Sequence, residues 1–338
     1  MLRSTKARRL TAVTAAASAI LLVAGCSSSK SSTASTAGSG SGSGKLGKIV
    51  YIPGLTGNPF YNTVSCGAST KAKELGVDYS YQGASTFDVA EQTKIVNAVV
   101  ATKPGAIMIS ITDPTAMIAP LTAAKRAGIK IIGIDGDLND KSVMLTNIQA
   151  DGEKGGELAG DALAKAVGEK GSVLAIDNAT GSVVSKARTD GFQKAIAKYP
   201  NMKFIGIQYS ANDVSKAASI VSTTAATNSD LVGVFGAETN NTQGALTGVR
   251  ESGKTGKVKV VGFDTSDPIV AALKDGSLTG TVVQYPRGEG ATGVQSAVDA
   301  MEGKSVPRDQ SADSLFVTPD TVNSAKAQQY IYDVNCKG

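Results

Sequence analysis

Apolar and polar residues alternate along most of this chain in blocks rather than position by position. From Lys45 onward, short apolar runs are separated by Ala-rich stretches of helical length. The apolar runs are "KIVYI", "VDYSY", "GAIMIS", "KIIGID", "SVLAID", "KFIGIQY", "LVGVF", "VKVVGFD" and "TGTVVQY". The helical stretches include "DVAEQTKIVNAVVAT", "PTAMIAPLTAAKRAG", "EKGGELAGDALAKAVG" and "DVSKAASIVSTTAAT". Apolar strands that alternate with helices predict an α/β fold, in which helices cover both faces of parallel sheets.

The body of the chain also contains an internal repetition. The segments "AKRAGIKIIGID" and "RESGKTGKVKVVGFD" both read as a helix end, a glycine turn, a buried strand and a final aspartate, Asp135 or Asp264. This predicts two similar α/β units. Ligands of open α/β sheets bind outside the carboxyl ends of the strands, so two facing units would place both aspartates at one cleft. The alternative is that each aspartate only caps a following helix.

The N-terminus has the features of an export signal. Residues 1–25 begin with basic residues and continue into an apolar run that is too short and Ala-rich for a convincing membrane span. The run ends in "LVAGC", which resembles a bacterial lipoprotein signal with Cys26 as the lipidated residue. Residues 26–45 then form a predicted flexible Ser/Gly linker. We expect an extracytoplasmic protein, lipid-anchored to the outer face of the cell membrane; a plain secretory signal with an incidental Cys26 is the alternative.

Two further cysteines, Cys66 and Cys336, lie near the two ends of the body. Disulfides persist outside the cytoplasm, so in an exported protein this pair predicts a disulfide between the first helix and the C-terminal tail. The chain has no CxxC motif, which argues against a redox role.

Composition narrows the possible functions. The 338 residues suffice for two domains, and 41% hydrophobic with 19% charged residues is typical of a soluble globular body. The absence of histidine excludes Ser-His-Asp and Cys-His catalysis, and three cysteines argue against a Cys-rich zinc site. No DxDxDG-like calcium loop is present. We therefore predict no enzyme, no cofactor and no metal.

The net charge of +5 arises mainly from the leader. Without its four basic residues, Arg3, Lys6, Arg8 and Arg9, the chain has 30 basic and 29 acidic residues. No basic surface for nucleic acid is predicted, so nucleic acid is not an expected partner.

Six segments, taken in order, resemble the type I periplasmic-binding proteins of the ribose and galactose group. They are "NPFY" at 58–61, "IGID" ending at 135, "ADGEKGGELAGD" at 150–161, "KARTDGF" at 186–192, "VVGFD" ending at 264 and "GTVVQYP" at 280–286. The resemblance covers residues 46–318. It implies two Rossmann-like lobes, each a parallel sheet flanked by helices, which a three-crossover hinge joins around a ligand cleft. The implied N-terminal lobe is 46–150 plus 285–314, and the implied C-terminal lobe with its tail is 151–284 plus 315–338.

The resemblance also implies a function and a set of binding residues. The chain would be the monomeric substrate-binding component of an ABC importer, with a membrane permease as its partner. Phe60 or Tyr61 would cover the apolar face of a sugar, while carboxylates and the arginine would bind its hydroxyls. The implied ligand-binding residues are Asn58, Phe60, Tyr61, Ser110, Asp135, Arg188, Asn212, Glu238, Asp264 and Gln284.

Several positions depart from the family pattern. Glu238 stands where the family often has Asn, and Asn212 stands where ribose-binding members have an aromatic residue. Ser110 replaces an Asn, Ala150 replaces a Ser, and Gly54 lacks the side chain that reaches the ligand. Three carboxylates against one arginine disfavour an anionic ligand. These departures favour a small neutral pentose-like sugar or a polyol over ribose, with a cationic ligand as the other possibility.

Other functions fit the sequence less well. A sensory receptor for a sugar or furanosyl signal would have the same fold, and the sequence does not separate sensing from uptake. A transcriptional regulator would need an N-terminal helix-turn-helix, where this chain has an export leader. A glycosidase could use Asp135 and Asp264 as its carboxylate pair, but the family resemblance argues against it.

Overall fold

The structure, a computed structural model, describes residues 46–178, 180, 182–332 and 335–336. The predicted signal peptide, the lipidated Cys26 and the Ser/Gly linker lie outside these residues. The described chain forms two α/β lobes, each built on one six-stranded sheet, which confirms the predicted fold class.

Lobe one contains most of the first half of the body. Its sheet has the order β11-β5-β4-β3-β1-β2, and all its strands are parallel. In chain order, the elements of its first segment are β1 (Ile49–Ile52), α1 (Pro59–Leu75), β2 (Tyr79–Tyr81), α2 (Val89–Ala101), β3 (Ala106–Ile109), α3 (Ile118–Arg126), β4 (Lys130–Ile134) and β5 (Thr146–Ala150).

Lobe two follows directly. Its sheet has the order β12-β10-β9-β8-β6-β7 and is parallel except for β12, which pairs antiparallel with β10. Its elements in chain order are α4 (Gly152–Ala166), β6 (Lys170–Asp177), α5 (Val183–Ile196), β7 (Asn201–Tyr209), α6 (Val214–Thr227), β8 (Leu231–Gly236), α7 (Thr239–Glu251), β9 (Lys259–Phe263), α8 (Asp267–Lys274) and β10 (Gly280–Gln284).

The chain then returns to lobe one and crosses back. Helix α9 (Pro286–Met301) packs against α1, and β11 (Asp309–Ala312) pairs with β5. Strand β12 (Ser314–Val317) completes the sheet of lobe two, and α10 (Ala325–Tyr330) packs on β12. The chain thus passes between the sheets after Ala150, after Gln284 and after Ala312.

Local sequence explains the regular elements. Strands β1 and β3 have no exposed position, because helices cover both faces of the sheet. Several helices that follow strands begin at capping side chains: Asp151, Ser182 and Asp213 each accept a bond from a backbone N–H in the first turn of α4, α5 or α6. These caps place helix N-termini at the carboxyl ends of the strands.

Glycines let pairs of helices approach closely enough to fix the site elements. A Cβ on Gly67 of α1 would stand 2.0 Å from the carbonyl oxygen of Arg287 at the start of α9. A Cβ on Gly156 of α4 would stand 1.9 Å from the carbonyl oxygen of Arg188 in α5. No side chain fits at either contact. The first glycine positions the helix that carries Phe60, and the second positions the backbone of Arg188.

The predicted disulfide is present in the structure. Cys66 in α1 is bonded to Cys336, with their Cα atoms 5.1 Å apart and a sequence separation of 270. The bond attaches the C-terminal tail to lobe one.

Candidate functional site

The two repeated aspartates occupy equivalent positions. Asp135 follows β4 and Asp264 follows β9, and both have left-handed backbone conformations, with φ of 50° and 67°. The backbone N–H of Asp135 donates to the Ile148 carbonyl of β5, and that of Asp264 donates to the Val282 carbonyl of β10. Neither aspartate is the cap of a helix; Ser266 occupies that position before α8. A strained backbone at both strand ends points to a binding role rather than to capping.

Asp264 is the centre of a buried polar cluster. The Tyr332 hydroxyl and the Gln284 amide both donate to its Oδ1, at 2.6 and 2.9 Å. The Arg188 Nη1 donates to its Oδ2 at 3.3 Å. All four side chains are buried. The three donors hold the carboxylate in one orientation.

Arg188 is held from two further sides. Its Nη1 also donates to the Ala237 carbonyl at 3.1 Å, and its guanidinium carbon lies 3.9 Å from the centre of the Phe263 ring. Although Arg188 is only 4% exposed, its Nε has no hydrogen-bond partner among the described residues. A buried donor without a partner is uncommon in folded proteins and is open to a ligand acceptor.

Two aromatic residues of lobe one face this cluster in different ways. Phe60 is buried and lies edge-on to Tyr61, at 5.4 Å between ring centres, and to Tyr332, at 5.8 Å. Tyr61 is half-buried, and burial together with the charges of Asp135 and Asp264 raises the pKa of its hydroxyl. The Tyr61 hydroxyl therefore lies within range of the charges of both carboxylates, whereas Phe60 packs between the Tyr61 and Tyr332 rings.

Asn58 and Ser110 have structural partners. Asn58 is the N-cap of α1, where its Oδ1 accepts a bond from the Phe60 N–H at 2.8 Å. The Ser110 hydroxyl is buried and lies 2.9 Å from the Tyr51 hydroxyl. Their ligand contacts stay predictions.

Glu238 and Asn212 lie at the rim of lobe two. Glu238 caps α7, where its Oε1 accepts bonds from the N–H groups of Asn240 and Asn241. Asn212 is exposed, and its side chain accepts a bond from Asn240 at 3.0 Å. Sequence reasoning treated Glu238 as a ligand group only, and the structure adds a capping role.

Burial raises the pKa of three acidic residues near the site. Burial raises the pKa of Asp135 to about 7, although Arg188 opposes the rise. Burial, and then the charge of Asp264, raises the pKa of Glu238 to about 7. Glu289 in α9 is 1% exposed, neither of its carboxyl oxygens has a hydrogen-bond partner in the described chain, and burial raises its pKa well above the usual range. The cleft thus contains several acids that need not all be ionised at neutral pH.

Four residues at or behind the site were missed by sequence reasoning: Phe87, Gln92, Glu289 and Tyr332. Gln92 lies on the buried face of α2 with Val96 and Val99, a spacing that could have identified it. Its amide donates to the carbonyls of Pro53 and Ser110, and its Oε1 accepts bonds from Thr112, so it joins two loops of lobe one.

Phe87 occupies the space that Gly54 leaves open. A Cβ on Gly54 would stand 2.6 Å from the Phe87 ring and 2.7 Å from the Tyr61 hydroxyl, so these two aromatic side chains are neighbours. Phe87 is 53% exposed, and among the described residues it is the second most exposed large hydrophobic side chain. No sequence pattern marks it.

Comparison with known proteins identifies the family. Residues 49–305 match the family described as the periplasmic binding protein domain. The chain belongs to this family. It is 29% identical to the ribose import binding protein of Salmonella typhimurium over 250 residues, which covers 74% of this chain and 83% of the relative.

Solved structures agree. An ABC transporter solute-binding protein from Agrobacterium vitis, bound with α-D-tagatopyranose, superposes with a TM-score of 0.81 at 34% identity and covers 85% of this chain and 99% of its own. A carbohydrate transporter solute-binding protein from Agrobacterium radiobacter, in complex with D-arabinose, gives a TM-score of 0.79 at 30% identity, with the same coverage. These relatives are binding proteins, which confirms the prediction that the chain is not an enzyme.

Two further observations concern the described ranges alone. Within them, every helix is too short or too polar to cross a membrane. Within them too, His, Cys, Asp and Glu side chains form no group of three or more that could hold a metal ion.

Proposed function

We propose that this protein is the solute-binding lipoprotein of an ABC importer, and that it binds a small neutral sugar or a polyol in a cleft between its lobes. The observation that carries the proposal is the oriented Asp264 cluster, which faces Tyr61 and Asp135 across the carboxyl ends of the two sheets. The relatives named for ribose, tagatose and arabinose support a sugar ligand. Hinge closure would bury the ligand and present a surface to the permease.

The polar groups of the cleft suit hydroxyls. The Asp135 carboxylate has no hydrogen-bond partner among the described residues, so it is available as an acceptor. The unpartnered Nε of Arg188 is available as a donor. A sugar hydroxyl both donates and accepts, and charged partners give the stronger hydrogen bonds.

The aromatic side suits the apolar face of a sugar. Tyr61 and Phe87 are neighbours at the edge of lobe one, and each keeps part of its ring accessible. An exposed ring can cover the C–H face of a sugar or the carbon chain of a polyol. Phe87 thereby supplies apolar surface that the departures at Gly54 and Asn212 appeared to remove.

The charges disfavour anions. Asp135, Asp264, Glu238 and Glu289 surround one cation, Arg188. An anionic ligand would be repelled by the ionised fraction of these acids, and Arg188 is already paired with Asp264, whereas a neutral hydroxyl-rich ligand would meet no such repulsion.

A ligand screen tests the proposal. Purified protein is heated with pentoses, hexoses, linear polyols and small amines, and with acidic sugars as a contrast. A ligand present at a hundred times its Kd stabilises the native state by roughly 2.7 kcal/mol, which raises the melting temperature by several degrees. We expect a shift with a neutral sugar or polyol. Shifts with amines alone, or with no compound, would contradict the ligand class.

Matched variants then locate the site. Asp135→Asn keeps the size of the side chain but removes the charge, and it should reduce the shift. Asp140→Asn, at an exposed position in the same loop, should retain it.

The proposed anchor is tested separately by labelling cells with a radioactive fatty acid. Label should enter the wild-type protein and be lost in Cys26→Ser; equal labelling of both would contradict the lipoprotein assignment.

A further inference from the structure

The C-terminal tail connects the two lobes once more after the three crossovers. Helix α10 packs on β12 in lobe two, whereas Cys336 is bonded to Cys66 in α1 of lobe one. We call Tyr332 together with residues 335–336 the C-terminal strap. The strap therefore begins against one lobe and is covalently fixed to the other.

Tyr332, at the start of the strap, contacts both lobes. In lobe two, its backbone N–H donates to the Thr265 hydroxyl at 3.1 Å, and its own hydroxyl donates to Asp264 Oδ1 at 2.6 Å. In lobe one, its ring lies edge-on to Phe60 with an interplanar angle of 65°. The side chain is buried, so these contacts are shielded from water.

The hydroxyl of Tyr332 acts on the central carboxylate of the site. Oδ1 of Asp264 accepts bonds from Tyr332 and Gln284, and Oδ2 faces Arg188. Gln284 and Arg188 belong to elements of lobe two, but Tyr332 reaches Asp264 only because the tail crosses there. Burial and the neighbouring Asp264 charge raise the pKa of Tyr332, so its hydroxyl keeps its proton and remains a donor. A hydroxyl-to-carboxylate bond is a strong, orienting contact.

We propose that Tyr332 is a positioning residue for ligand binding, which orients Asp264, and that the Cys66–Cys336 disulfide holds Tyr332 in place. The disulfide is thus coupled to affinity as well as to stability. The inference rests on the proposed function, because it requires a ligand that contacts Asp264.

A double-mutant cycle tests the coupling. The Kd of the sugar or polyol found in the screen is measured calorimetrically for the wild type, Tyr332→Phe, Cys66→Ser/Cys336→Ser, and the three substitutions combined. Tyr332→Phe removes the hydroxyl but keeps the ring against Phe60, and we expect affinity to fall about tenfold, the equivalent of one charge-assisted hydrogen bond. Removal of the disulfide should weaken binding by a smaller factor, and it should have little further effect once the hydroxyl is gone.

Two controls separate positioning from general stability. Tyr330→Phe alters a tyrosine two residues from Tyr332 whose ring packs at a tilt against Tyr285, with 4.9 Å between ring centres, and this variant should bind as the wild type does. The second control is a deoxy analogue of the ligand that lacks the hydroxyl bound by Asp264. The loss of affinity on removing that hydroxyl should be smaller in Tyr332→Phe than in the wild type, a difference that a purely structural role of Tyr332 would not produce.

The outcomes are distinguishable. Wild-type affinity in Tyr332→Phe would overturn the proposal. It would also be overturned if the fold-change in Kd of the combined variant equalled the product of the fold-changes caused by loss of the disulfide and loss of the hydroxyl, because the two effects would then be independent. If the serine variants fold poorly, reduction of the intact protein with dithiothreitol replaces them, compared between wild type and Tyr332→Phe. Failure of the proposed function would appear earlier, as absent binding by the wild type, whereas failure of this proposal appears only in the variants.

Discussion

Ligand binding should be linked to proton release through Asp135. Burial raises the pKa of this carboxyl to about 7, so near neutral pH the free protein carries a proton there part of the time. A ligand hydroxyl that donates to the carboxylate favours its ionised form and lowers its pKa. Binding therefore expels the proton, and affinity rises with pH.

The size of the effect follows from the shift. If the bound carboxyl titrates below about 5, affinity increases about tenfold for each pH unit below 7 and levels off above it. Between pH 5.5 and 7.5, this single group would change Kd by roughly 25-fold. Glu238, whose pKa is also raised to about 7, would add to the change if it contacts the ligand.

Calorimetry measures both parts of the linkage. Titrations at pH 5.5, 6.5 and 7.5 give Kd, and titrations in two buffers of different ionisation enthalpy give the number of protons released. In Asp135→Asn the proton release should fall and the pH slope should flatten, while Asp140→Asn should match the wild type. A wild-type Kd that does not change over this range, or a full slope in Asp135→Asn, would refute the assignment.

Two further substitutions test the surroundings of the site. Gly54→Ala places a Cβ 2.6 Å from the Phe87 ring and displaces that ring, so it should weaken ligand binding severalfold with little loss of thermal stability. Phe87→Ala should relieve the clash. Unchanged affinity in Gly54→Ala would show that Phe87 is not part of the binding site. Gln92→Leu leaves two loop carbonyls and one N–H without their donor or acceptor, so the free energy of unfolding in urea should fall by about 3 kcal/mol. Gln82→Leu, at an exposed position, should cost under about 0.5 kcal/mol, and an equally small loss for Gln92→Leu would contradict the role of Gln92.

The sequence predicted the elements whose signal is local. The buried strands of both sheets are short apolar runs, and most are followed by a turn and a helix, so periodicity and length sufficed. Asp135 and Asp264 were found because their surroundings repeat along the chain. Strands β5, β11 and β12 were not singled out as strands: β5 and β11 are rich in polar residues, β12 has only four residues, and β11 and β12 lie at sheet edges.

The contacts that organise the site were harder to predict because they join distant segments. Gln92 contacts loops 18 and 39 residues away, and Tyr332 contacts Asp264 across 68 residues. Glu289 follows Pro-Arg-Gly in the first turn of α9, a composition typical of a surface segment. The return of the chain to lobe one nevertheless buries it. Apart from the spacing that places Gln92 on the apolar face of α2, nothing in the local sequence distinguishes these residues from exposed polar ones.

The burial of several acids around one arginine has a consequence for the ligand. Arg188 directly compensates one negative charge, that of Asp264. The remaining carboxyls reduce the desolvation free energy of a buried charge by holding protons. A protonated carboxyl donates one hydrogen bond and an ionised one accepts several, so the same side chains can serve hydroxyls in either role. A ligand with many hydroxyls and no charge matches such a site at every position, whereas a single fixed charge on the ligand would match only some of them. The strap adds a donor that neither lobe supplies from its own elements, and this donor holds the central carboxylate in one orientation while the neighbouring acids titrate.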